Sequence, residues 1–106
     1  MMKLKTLKQA KEFKYEVKGG NIVIYTGELE TKSIFPLEAL LNFAKQHANR
    51  TVAINATRTI SDIRPGTFGN FCYKTAGVVV ASYIAAIAVD MGLASPSEDR
   101  LSLVFK

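Results

Sequence analysis

The stretch from Thr75 to Val89, T-A-G-V-V-V-A-S-Y-I-A-A-I-A-V, carries no charged residue, and only Thr75, Ser82 and Tyr83 bring polar side-chain atoms to it. In a chain of 106 residues, this is the segment that the rest must cover. Lys74 and Asp90 close its ends, which leaves it too short for a membrane span of about 20 apolar residues. The valines at 78–80 favour a strand locally, because β-branching restricts χ1. Ala81 to Met91 favours helix, being rich in Ala with Ile84, Ile87 and Met91 beside it. The pattern predicts one helix from about Asn70 to Met91, stopped by Gly92.

Such a helix is apolar all round. Cys72, Ala76, Val79, Tyr83 and Ile87 fall on one face, and Phe71, Val78, Ala81, Ala85 and Val89 on another. A helix without a polar face is buried on every side. One sheet covers only one side, so a second copy of the chain is expected on the other. Ala81, Ala85 and Val89 are the expected self-association residues of a homodimer. The competing expectation is a monomer in which the first helix and the termini cover that side.

The length fits a single domain over residues 1–106. The lone cysteine, Cys72, excludes an internal disulfide and a cysteine-rich zinc site, and it fits a reducing compartment. The opening M-M-K-L-K-T-L-K has no apolar run behind its lysines, so no signal peptide is expected and a cytoplasmic location is. The net charge of +5 is concentrated in two zones. Residues 1–18 hold Lys3, Lys5, Lys8, Lys11, Lys14 and Lys18 against Glu12 and Glu16, and residues 50–74 hold Arg50, Arg58, Arg64 and Lys74 against Asp62. Zones of this kind attract anionic partners, or simply keep a surface solvated.

Residues 11–28 read as a hairpin around Gly19-Gly20, with Val17 opposite Ile22 and Tyr15 opposite Ile24. Phe13, Tyr15, Val17, Ile22 and Ile24 then share one face, and Lys14, Glu16, Val23 and Tyr25 share the other. A third strand is expected from Glu28 to Phe35. Pro36 then opens an amphipathic helix with Leu37, Leu40, Leu41, Ala44 and Ala48 on its apolar stripe. Thr51 to Thr57 reads as a strand, and so does the alternation of Leu101, Leu103 and Phe105. The order is β-β-β-α-β-α-β. It predicts an α+β fold, with a mixed or mainly antiparallel sheet packed on a long buried C-terminal helix.

The long connection from Arg58 to Lys74 asks for a functional explanation, since loops of that length are uncommon without a role. It combines arginine forks, aromatic rings and the approach to a helix N-terminus, where free N–H groups favour an anion. Arg58, Arg64, Phe68, Asn70, Tyr73 and Lys74 are the expected partner- or anion-binding residues, with Lys14 and Tyr25 as a second, hairpin-face contact. G-T-F-G-N lacks the Gly-Lys-Ser/Thr of a phosphate-binding loop and the glycine spacing of a dinucleotide site. His47 stands alone among scattered carboxylates, so no metal is expected, and no cofactor. Cys72 reads as a small buried side chain rather than a nucleophile. The expected function is therefore a non-enzymatic binding or regulatory protein, inhibitory by occlusion, that docks a larger protein or anionic partner. The alternative is a nucleic-acid- or nucleotide-binding protein using the same loop.

Overall fold

Gly19 and Gly20 reverse the chain at positive φ, 59° and 80°. The strands they join, β2 (Glu12–Lys18) and β3 (Asn21–Thr26), pair antiparallel with Val17 opposite Ile22 and Tyr15 opposite Ile24, the register expected from the sequence. β1 (Met2–Lys5) flanks β2 and β4 (Thr31–Pro36) flanks β3, which makes a four-stranded antiparallel sheet in the order β1-β2-β3-β4. Phe13, Tyr15, Ile22, Ile24 and Phe35 face inward and are buried. The computed structural model describes residues 2–27, 31–57 and 59–106. The expected third strand is therefore seen from Thr31, and residues 28–30 lie outside the described residues.

Helix α1 (Leu37–Gln46) follows at once, with Pro36 as its cap residue rather than its first helical one. The Leu37 N–H donates to the Gly20 carbonyl at 3.1 Å, tying the start of the helix to the hairpin turn. Leu40, Phe43 and Ala44 are buried. Leu41, on the stripe expected from spacing, is 44% exposed, whereas Phe43, outside that stripe, is in the core.

A second antiparallel sheet is built from β5 (Thr51–Ala53), β6 (Ala94–Pro96) and β7 (Ser102–Phe105), in the order β5-β7-β6. The β5 strand is shorter than expected. Asn55 takes a left-handed φ of 51°, which ends the extended run, and asparagine tolerates that conformation.

The single helix expected over 70–91 is instead two. Helix α2 (Phe68–Ala76) and helix α3 (Ala81–Asp90) meet at 107°. Gly77, left-handed at φ 76°, closes α2 with its N–H on the Tyr73 carbonyl at 2.8 Å. The three valines that follow resist helix re-entry until Val80. The bend lets α2 touch β4 and β5, while α3 touches β1 and β6. The uncharged segment is thus flanked by one sheet on each side and mostly buried within one chain, while Gly77 and Val78 at the bend stay exposed. Ala81 and Ala85 are 3% and 1% exposed within one chain, so they form no self-association surface. Val89 is half-buried and packed against the same core. Gly92 ends α3 as expected: its N–H donates to the Val89 carbonyl at 3.0 Å and that of Leu93 to the Ala88 carbonyl at 2.9 Å, a Schellman closure. The α+β class and the antiparallel pairing are as expected from the sequence. Among the described residues no single helix is long and apolar enough to cross a membrane.

One polar contact ties the first sheet to α3. The Tyr15 hydroxyl donates to Asp90 Oδ2 at 2.6 Å. Burial, then the Asp90 hydrogen bond and charge, push that phenol up to about 12. The folded value lies above the ordinary one of about 10, so the stabilisation is complete below pH ~10 and is lost as pH rises through the folded value. Melting temperature measured from neutral pH to pH ~12 should therefore fall more steeply for the parent than for Tyr15→Phe. At neutral pH the variant should be less stable by about 1–2 kcal/mol. Parallel alkaline limbs for the two proteins would show that the bond carries no such linkage.

Candidate binding surface

The connection after β5 is short on free groups. Asn55 organises it: its Oδ1 accepts from the Arg64 N–H at 2.7 Å and from the Thr67 hydroxyl at 3.3 Å, and its Nδ2 donates to the Asp62 carbonyl at 3.4 Å. A 3₁₀ turn over Ile60–Asp62 compacts the middle. Asn55 was not among the residues singled out from the sequence. An asparagine interrupting an otherwise apolar strand pattern was the available signal.

The expected anion site at the start of α2 is occupied by the chain itself. Thr67 caps the helix, its Oγ1 accepting from the Asn70 N–H at 3.1 Å. The Gly69 N–H donates to the Ile54 carbonyl at 2.7 Å, and the Phe71 N–H to the Thr67 carbonyl at 3.2 Å. The Gly69 and Asn70 N–H groups, two of the first-turn donors an anion would use, are thus taken.

The aromatic members of the loop are spoken for as well. Phe68 is fully buried, edge-on to Phe43 at a centroid distance of 5.4 Å, so it offers no surface for a base or a partner. Phe71 stacks on Phe43 at 4.2 Å. Asn70 and Tyr73 are half-buried, Arg64 and Lys74 are exposed, and Arg58 lies outside the described residues. Burial raises the Cys72 thiol far above its ordinary range, which keeps it protonated. A protonated, enclosed thiol is not a nucleophile.

The hairpin-face residues have a different setting. Because residues directly opposite in an antiparallel pair share a face, the register places Lys3, Lys14, Tyr25 and Lys32 in one row across all four strands. With strands about 4.8 Å apart, this row spans roughly 14 Å. Lys5, Glu12, Glu16, Lys18, Asn21, Val23, Ile34 and Pro36 complete the same outer face. Among the described residues of this face, five lysines stand with two glutamates, and all five lysines are exposed. Lys3 and Glu12 form an exposed pair at 3.7 Å, worth at most about 1 kcal/mol. Lys3 and Lys32 were missed as site residues because only the pairing of β1 and β4 brings them into line with Lys14 and Tyr25.

Two details describe the Tyr25 ring. Its hydroxyl donates to Glu16 Oε2 at 3.0 Å, across the strand boundary and two residue pairs along, at the next pair on the same face. Val23 points outward yet is only 5% exposed, so its neighbours on this face must cover it. Both are accounted for if the ring lies along the sheet towards Glu16 rather than standing out from it.

Other groups offer less. Among the described residues no cluster of His, Cys, Asp or Glu could hold a metal ion. His47 is half-buried, its ring stacked on Phe43 at 4.0 Å and its Nδ1 2.9 Å from the Phe43 carbonyl. An open depression lies at Ser97, Glu98 and Asp99 in the turn before β7. Asp99 there accepts from the Leu101 N–H at 3.0 Å and the Ser97 hydroxyl at 2.7 Å, which hold its carboxyl below the usual range and tie it to the turn.

No family model, no curated protein and no solved structure matches this chain.

Proposed function

We propose that this protein is a binding protein without catalysis of its own, and that it docks a negatively charged macromolecule on the outer face of the β1–β4 sheet. The row Lys3, Lys14, Tyr25, Lys32 carries the reading. A field of like charge on an otherwise ordered, rigid sheet steers and orients an anionic partner without any moving part. The Arg58–Lys74 loop, first choice on sequence grounds, has Phe68 and Phe71 packed against Phe43 and the Gly69 and Asn70 N–H groups bonded within the chain, and moves to second place. A reducing compartment such as the cytoplasm suits the single buried thiol.

The test compares two double variants that change the net charge equally. Lys14→Glu with Lys32→Glu should lower the salt concentration that elutes the protein from immobilised heparin. Lys45→Glu with Lys74→Glu, on α1 and α2, should leave it nearly unchanged. Equal losses would mean that bulk charge alone is being read, and a larger loss for the second pair would return the site to the loop.

A further inference from the structure

We infer that the anionic partner is an extended acidic peptide segment, which adds to the outer edge of β4 as a further strand of the sheet; this rests on the sheet-face reading above. The ladder shows which groups that edge offers. Leu37, one pair beyond Pro36, gives its N–H to the Gly20 carbonyl. Bonded and non-bonded pairs alternate in an antiparallel ladder, so Thr31, Ser33 and Phe35 turn their N–H and C=O groups towards β3. Lys32 and Ile34 turn theirs the other way, and among the described residues no strand pairs with that side of β4. Helix α2 meets Phe35 on the inner face, where Phe71 is edge-on to it at 5.8 Å, while Lys32, Ile34 and Pro36 are exposed. Main-chain bonds to such an edge supply affinity, and the alternate side chains supply specificity. Val23 and Ile34 stand directly opposite on the outer face, yet Val23 is buried and Ile34 is 52% exposed. An apolar residue opposite Ile34 would extend that row, and a carboxylate two residues further along an antiparallel partner would stand opposite Lys32. A second copy supplies no such match, because Thr31–Pro36 contains no acid and each chain brings a net charge of +5. Nucleic-acid phosphates accept hydrogen bonds but donate none, so they would leave the Lys32 and Ile34 carbonyls unmatched.

The experiment measures fluorescence anisotropy of a labelled, end-capped peptide, Thr-Glu-Thr-Val-Thr-Glu-Thr-Glu, at low salt. Its valine and glutamates share one face of an extended strand. N-methylation of the valine and glutamate amides removes the donors that would face β4, and it should weaken binding about 10-fold or more. Methylation of the threonine amides, which would point away, should matter far less. Ile34→Pro removes one edge N–H and no bond to β3. It should weaken the unmethylated peptide about 10-fold and leave elution from heparin unchanged. Equal or reversed effects of the two methylations overturn the strand assignment, even if Ile34→Pro does not fold. A concentration-dependent dimer in sedimentation that Ile34→Pro abolishes would give the edge to a second copy and overturn the peptide assignment. Tighter binding of oligothymidylate than of the peptide, unaffected by Ile34→Pro, would overturn it in favour of nucleic acid. If no peptide binds while heparin elution still depends on Lys14 and Lys32, the anionic-face reading survives alone. If neither peptide nor heparin binds, both fail.

Discussion

Phe43→Ala should cost about 3–5 kcal/mol of folding stability, among the larger effects a single truncation has in a core. The ring joins elements that meet nowhere else in sequence. It stacks on Phe71 of α2 at 4.2 Å, meets Phe68 edge-on at 5.4 Å, and meets Phe105 of β7 edge-on at 5.5 Å. Removing it leaves a cavity lined by rings from α2 and the second sheet, and aromatic side chains that have lost their partners relax poorly into such a space. Denaturant unfolding should show the midpoint drop with the slope retained. Leu41→Ala, one turn-face away and exposed, is the control and should change stability by less than about 0.5 kcal/mol. Similar effects for the two substitutions would mean that Phe43 is not the hub described.

Gly69→Ala sets two opposed effects against each other. Alanine is the better helix former by about 1 kcal/mol, and Gly69 lies in the first turn of α2. A β-carbon there, however, would overlap the Asn55 carbonyl oxygen and come within 2.9 Å of the Ile54 carbonyl oxygen. Both obstacles are backbone, so neither moves aside as a side-chain tip would. The Gly69 N–H bond to Ile54, which pins α2 to the end of β5, must also lengthen. The clash should win, with a net loss of about 2–4 kcal/mol. Thermal melts of Gly69→Ala and Gly66→Ala make a useful contrast. Gly66 has open space around its α-carbon but a left-handed φ of 77°, so its substitution should cost only about 1 kcal/mol from backbone strain. A neutral or stabilising Gly69→Ala would refute the close α2–β5 approach.

These sites show where local pattern reading stops. Hairpin register was legible because Gly19-Gly20 specifies a two-residue turn and the alternation on either side agrees with it. From that register Lys14 and Tyr25 could be named as one face, though not the row they belong to. Lys3 and Lys32 join it only because β1 and β4 dock on the two sides of the hairpin. Phe68 looked like a surface anchor because it follows a glycine-rich, arginine-bearing loop, yet Asn55 folds that loop back and seats the ring in the core. The Gly77-Val78-Val79-Val80 break was visible, but the alanine run after it outweighed the signal until the two sheets were seen to need a bent element between them.

By itself the sequence determined the elements that depend on neighbours a few residues apart: the hairpin and its pairing, the start of α1 directly after Pro36, the Gly92 closure of α3, and the alternation of the last strand. Turn geometry, capping and period are local, and local energies suffice for them. Only the tertiary structure decided which surfaces the uncharged segment meets, that a second sheet rather than a second molecule buries its far side, and which lysines line up beside Tyr25. Those outcomes follow from burial and strand pairing between residues far apart in the chain, where the same composition is compatible with several arrangements and packing selects one.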